Sequence, residues 1–229
     1  MQRKRFIKLS GFSAASLLFT TINPLTGQTD QVLAAPDEVS VLSSGKWLPL
    51  SKSGDQWIYQ HISVRLHTKA GGTRVQLSAP GGEIEKIKIG WKHRSSAAAL
   101  FLGDHWERSY GDLAWKTGSP IRKAPWYLFI HDGSDTFAFG VKTGAASICY
   151  WQAGPERLEL FMDTHSGGMG FIPGERMLTA AEIISTKSLP GETPFQTDIR
   201  FCKMMCDKPV LPAKPVYGIN DWYFAYGNN

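Results

Sequence analysis

Apolar and polar residues alternate along most of this chain in short runs and seldom recur every three or four positions, which is the pattern of strands that bury one face. In residues 57–67, Ile58, Ile62, Val64 and Leu66 share one parity, while Trp57, Tyr59, His61 and Arg65 take the other. That spacing predicts one strand with the aliphatic side inward. The same period of two predicts strands at 75–79, 87–91 (with Lys86 and Lys88 outward), 137–141 and 158–162. Residues 126–130 are apolar at both parities, which predicts a strand covered on both faces.

Gly71-Gly72, Pro80-Gly81-Gly82, Asp132-Gly133, Gly167-Gly168 and Pro190-Gly191 separate these runs, glycine supplying positive φ and proline fixing a corner. Many short strands with one apolar face each need a second apolar layer to cover them. The expected fold class is therefore all-β, a two-sheet antiparallel β-sandwich over residues 36–205, with little helical periodicity. A closed barrel has the same periodicity and is the competing architecture. Residues 206–215 carry Pro209, Pro212 and Pro215 and read as a linker. An aromatic-rich segment, 216–229, follows it.

At the other end, Arg3, Lys4, Arg5 and Lys8 precede an apolar stretch too short to span a bilayer, and Ala34 and Ala35 follow Val32 and Leu33. Residues 1–35 thus read as an export signal, with the remaining chain starting near Pro36 in the periplasm or outside the cell. A buried first helix or a membrane anchor is the competing reading. The basic run resembles the twin-arginine export motif with lysine at its second basic position; an ordinary secretory signal is the other route. Residues 1–35 hold four Arg/Lys against Asp30, so the formal charge of +5 falls to +2 without them. No basic stripe is left for phosphates, which argues against a nucleic-acid partner.

Cys149, Cys202 and Cys206 are the three cysteines, enough for one internal disulfide at most. Cys202 and Cys206 lack the second ligand pair that structural zinc needs. No cofactor is expected.

The densest polar and aromatic cluster is GDHWERSYGDLAW at 103–115, with Asp104, His105, Trp106, Glu107, Arg108, Tyr110, Asp112 and Trp115. Aromatic faces stack on the C–H side of a pyranose while carboxylates accept its hydroxyl hydrogens, so this mixture suits sugars. The plainer reading is a loop locked by an ion pair from Arg108 to a carboxylate. Asp104, Glu107 and Asp112 lie too close in sequence to flank a sugar from opposite sides, as glycoside hydrolysis requires. His131-Asp132 and Asp163-Thr164-His165 read as His–Asp hydrogen bonds tying down turns, and SGGMG at 166–170 as a hairpin loop. Nucleophile elbows, paired-histidine metal motifs and phosphate loops are absent from the sequence.

GDHWERSYGDLAW (103–115), APWYLF (124–129), GVKTGAASICYW (140–151), FCKMMC (201–206) and PVYGINDWYFAYGNN (215–229) resemble the melibiase-like α-galactosidase group related to glycoside hydrolase families 36 and 27. The resemblance implies an N-terminal β-supersandwich followed by a (β/α)8 barrel that carries two catalytic aspartates on later strands. Residues 216–229 would then be the first strand of that barrel. Asp221 would bond sugar hydroxyls and Trp222 would form an apolar wall, because active sites of such barrels sit at strand C-terminal ends. Trp222 packing between barrel and sandwich is the other reading. A complete barrel needs about 250 residues, so the expectation is a truncated product without glycosidase turnover of its own. Its partners would be a galactoside and the missing catalytic barrel, and an unpaired barrel strand would invite homo-oligomers. Trp106 and Asp104 are the sandwich's own candidates for touching substrate. The alternative is a free-standing carbohydrate-binding module of the cell envelope, with Trp106, Trp115 or Trp151 as stacking platform.

Overall fold

The computed structural model describes residues 32–106, 113–117, 123–154, 156–165, 172–210, 212–215 and 217–218. Fifteen strands and one helix lie among them. A six-stranded antiparallel sheet has the order β10 (Ala124–Pro125), β13 (Ile148–Ala153), β14 (Arg157–Asp163), β7 (Lys86–Lys92), β1 (Glu38–Ser43), β2 (Lys46–Pro49). A nine-stranded sheet runs β3 (Ser51–Ser53), β4 (Gln56–Tyr59), β5 (Ile62–Lys69), β6 (Gly72–Ala79), β15 (Gly174–Lys187), β12 (Thr136–Val141), β11 (Tyr127–His131), β8 (Leu100–Gly103), β9 (Lys116–Thr117). The two sheets face each other as a sandwich and do not close into a barrel. No helix among the described residues is long and apolar enough to cross a membrane.

The core between the sheets follows the predicted parity. Ile87 and Ile89 of β7, Leu158, Leu160 and Met162 of β14, and Val75 and Leu77 of β6 are all fully buried. Trp151 of β13 is the largest of the fully buried side chains, its ring 5.9 Å from Trp91 and 6.0 Å from Phe139 on the opposite sheet. Burying each such side chain contributes about 1.5–3 kcal/mol.

Among the described residues the chain passes between the sheets seven times, and at two of these passages a single linking residue is tied down by its own backbone bonds. Leu50 lies between β2 in one sheet and β3 in the other, and its amide donates to the Val39 carbonyl. Trp126 joins β10 to β11 with φ at +65°, a conformation that bulky residues rarely take. Its amide donates to the Cys149 carbonyl of one sheet, while its carbonyl accepts from the Val141 amide of the other and from the Trp151 indole. Those three bonds hold the crossover in place.

Two expectations change. Residues 57–67 form a hairpin, β4 and β5, with Gln60 at φ +52° in the two-residue turn, and Trp57 pairs with Val64 across it. The turn resets the parity, so Trp57 is buried and Ile58 is exposed, the reverse of the single-strand prediction. The second change is a helix, α1 (Pro194–Met204), at the end of the sandwich. Thr193 and Gln196 form a reciprocal capping box with proline in the first turn, and Thr197 and Phe201, four residues apart, form its buried stripe. Phe201 packs edge-on against Phe129 of β11 at 5.6 Å. This explains the run apolar at both parities: Leu128 and Ile130 face the sandwich interior, and Phe129 faces α1.

Candidate functional site

The outer face of the six-stranded sheet is built by the residues that alternate with the core. On β14, Phe161 and Asp163 point away from the interior; on β13, Tyr150 does so; on β7, Lys86 and Lys88. Register places Tyr150 opposite Phe161, and Phe161 opposite Lys88. Tyr150 and Phe161 stack at 4.9 Å with their planes 6° apart. Trp47 of β2 meets Phe161 edge-on at 6.0 Å, and Trp106 meets Tyr150 edge-on at 6.4 Å. The result is an aromatic row across the sheet, Trp47, Phe161, Tyr150 and Trp106. Its two ends are open, Trp47 being 42 % and Trp106 53 % exposed, whereas Tyr150 is buried.

Charged groups border the row. Lys88 Nζ lies 5.6 Å from the Trp47 ring centroid and Lys123 Nζ 5.0 Å from that of Tyr150, within cation–π range. Lys86 bonds Asp163 at 3.0 Å, and Lys88 bonds Glu38 at 3.0 Å and Glu159 at 3.5 Å. Arg157 also engages Glu38. Burial works to raise the Glu38 pKa, but hydrogen bonds from Arg157 and Lys88 outweigh it and hold the carboxyl below its usual range. The hydrogen bond to Asp163 raises the Lys86 pKa, and burial raises that of the Tyr150 phenol. Glu38 and Lys86 are thereby held charged, as hydrogen-bonding partners and not as proton donors to a leaving group.

The expected site residues separate. Trp106 stands exposed at one end of the row. Asp104, only two residues away, is buried, and its Oδ1 accepts from the His105 amide at 2.8 Å. Trp115 packs at the α1 side of the nine-stranded sheet, its ring 6.3 Å from His131. Trp151 is completely buried, which removes it as a stacking platform. Glu107, Arg108, Tyr110 and Asp112, the loop at 166–170, and Asp221 and Trp222 lie outside the described residues.

Of the two expected His–Asp hydrogen bonds, the one across 163–165 forms, through the His165 backbone, and the one at 131–132 does not. His131 Nδ1 lies 3.1 Å from Thr136 Oγ1, and Asp132 Oδ1 instead accepts from the amides of Ser134 and Asp135 across its own turn. Asp163 Oδ1 accepts from the backbone amide of His165. No disulfide joins the cysteines.

Trp47, Tyr150 and Phe161 were not singled out from the sequence. The signal was present: Tyr150 lies between two core residues of β13, and Phe161 between two of β14, so both are aromatic at outward positions. Away from the row, a groove of about 630 Å3 follows α1 and is lined by Leu102, Trp115, Tyr127, Phe195, Asp198 and Ile199 among others. Neither a protein-family model nor a curated protein matches this chain.

Proposed function

We propose that this domain recognises carbohydrate as the sandwich of an exported α-galactosidase-like glycoside hydrolase. The observation that carries the reading is the aromatic row ending in exposed Trp106 and bordered by Lys86–Asp163 and Lys88–Glu159. Open indole faces stack on the apolar side of a pyranose, and the flanking ammonium and carboxylate groups donate to and accept from its hydroxyls. The resemblance of 103–115 and 215–229 to the α-galactosidase group names a galactoside as the sugar. Hydrolysis in this reading belongs to a separate (β/α)8 barrel, because the acids of the row are ion-paired and glycoside cleavage needs one carboxyl kept protonated. The apolar groove beside α1, with Phe195 70 % exposed, gives such a barrel a surface to pack on.

Titration of the purified chain with galactosides at millimolar concentration tests this by tryptophan fluorescence. Saturable quenching that disappears in Trp106→Ala is expected, together with no hydrolysis of an aryl α-galactoside above a blank. Absence of quenching removes the recognition role.

A free-standing carbohydrate-binding module is the second reading, favoured because Trp47, Phe161 and Tyr150 all come from strands of the sandwich itself. Separately expressed α-galactosidase-like barrel discriminates the two: the hydrolase sandwich binds it, and a free-standing module does not.

A further inference from the structure

Val32–Pro36, which spans the end of the expected export signal and the first residue after it, is engaged by the sandwich. The amides of Val32 and Leu33 both donate to Ser185 Oγ, at 3.0 and 3.1 Å. The Ala34 carbonyl accepts from the Trp91 indole Nε1 at 3.0 Å, and Leu33 packs against the sandwich core. Both anchors are fixed in place: Ser185 of β15 and Trp91 of β7 are 2 % and 6 % exposed and come from opposite sheets. Leu33 to Pro36 form one wall of a cleft of about 250 Å3 whose other side includes Trp57, Trp91 and Ile183. The next residue continues the attachment, since the Asp37 amide donates to the Gly90 carbonyl and its carboxylate accepts from the Lys92 amide. From there the chain enters β1 directly.

We infer that Val32–Pro36 is a folded strap across the mouth of the sandwich, and that cleavage at the Ala34–Ala35 sequence is confined to chains that have not yet folded. A peptidase that binds its substrate as an added strand needs the segment extended, with its backbone groups free to pair. Here two amides, one carbonyl and the Leu33 side chain of that segment are already committed. The exposed methyl groups of Ala34 and Ala35 do not change this, because it is the backbone that is held. Order of events then decides the product: a chain cut before folding lacks the strap and leaves the Trp91 indole and the Ser185 hydroxyl without these partners, whereas a chain folded first keeps it. The processing half of this inference rests on reading residues 1–35 as an export signal; the strap does not.

Native-state hydrogen exchange on the full 229-residue chain tests the strap. The Val32 and Leu33 amides are expected to exchange about 100-fold or more slower than in an open chain, and Ser185→Ala to bring both within about tenfold of the open-chain rate. Open-chain rates in the unaltered protein overturn the inference whatever the variant does. Purified signal peptidase tests the processing half. It is expected to cut chains during cell-free synthesis and to cut the folded protein at least about tenfold more slowly, with Trp91→Phe, which keeps the ring and loses the donor, restoring part of the rate. Equal rates in the two states overturn that half. Cutting in neither state, with slow exchange retained, overturns the export reading and leaves the strap standing.

Discussion

Gly140 of β12 lies under Phe201 of α1 so closely that a Cβ on Gly140 would stand 2.8 Å from the ring Cε1 and 2.9 Å from Cζ. The Trp126 carbonyl, 3.2 Å from the same point, closes the other side. Phe201 itself is fully buried, so the ring cannot swing into solvent without giving up the contact that seats the helix. Gly140→Ala is therefore expected to cost about 1–3 kcal/mol by overpacking. Phe201→Ala is expected to cost about 3–5 kcal/mol by leaving a cavity. In Phe201→Leu the same glycine substitution should cost less, and urea denaturation of the single and double variants measures that coupling.

The two tryptophans nearest Tyr150 in function and in sequence are expected to behave oppositely. Trp106→Ala removes a half-exposed ring and should change stability by no more than about 0.5 kcal/mol while abolishing sugar-induced quenching. Trp151→Ala opens the centre of the core between the sheets and should cost about 3–5 kcal/mol. Thermal denaturation beside the fluorescence titration separates the two effects.

Acid and neutral stability should be set by opposing carboxyls at α1. Hydrogen bonding from the Arg200 guanidinium, joined by the Leu189 amide and the Thr197 hydroxyl against an opposing effect of burial, takes the Glu192 pKa from 4.5 down to about 2. Its contribution is complete above the unfolded pKa near 4.5 and is lost as pH falls through about 2. Glu192→Gln should destabilise by about 1–2 kcal/mol at pH 7, after discounting for solvent screening, and the difference should close toward pH 2. Asp198 has the opposite sign. Burial raises its pKa from 3.8 to about 6, and its Oδ1 has no hydrogen-bond partner among the described residues. The folded state thus loses stability as pH rises from 3.8 through 6, so Asp198→Asn should raise the melting temperature at pH 7 and leave it unchanged at pH 3.

Thiol labelling should follow burial. Cys149 is fully buried, and desolvation takes its thiol to about 11, so at pH 8 it is both neutral and sheltered. Cys202 is exposed on α1. A disulfide reagent should modify Cys202 in the native protein and reach Cys149 only after denaturant is added. Native labelling of Cys149 at the rate of Cys202 would show that the six-stranded sheet opens readily.

The sequence by itself determined the all-β class and the strands at 75–79, 87–91, 126–130, 137–141 and 158–162, because a period of two together with glycine and proline punctuation is a local property of the chain. Ile87 with Ile89, and Leu158 with Leu160, fell on the predicted inner face for that reason. A capping box and a first-turn proline also marked the start of α1, although a helix carrying only two buried residues gives too short an apolar stripe to stand out. Only the tertiary structure decided what depends on register between distant strands. The turn at Gln60 reversed the faces of Trp57 and Ile58. Pairing of β13 with β14 and of β14 with β7 brought Tyr150, Phe161 and Lys88 into one row, with Trp47 and Trp106 at its ends. Ser185 met Val32 across 153 positions of chain. Alternation tells a residue which side to face, but which neighbours it finds there is fixed by pairings that no local pattern carries.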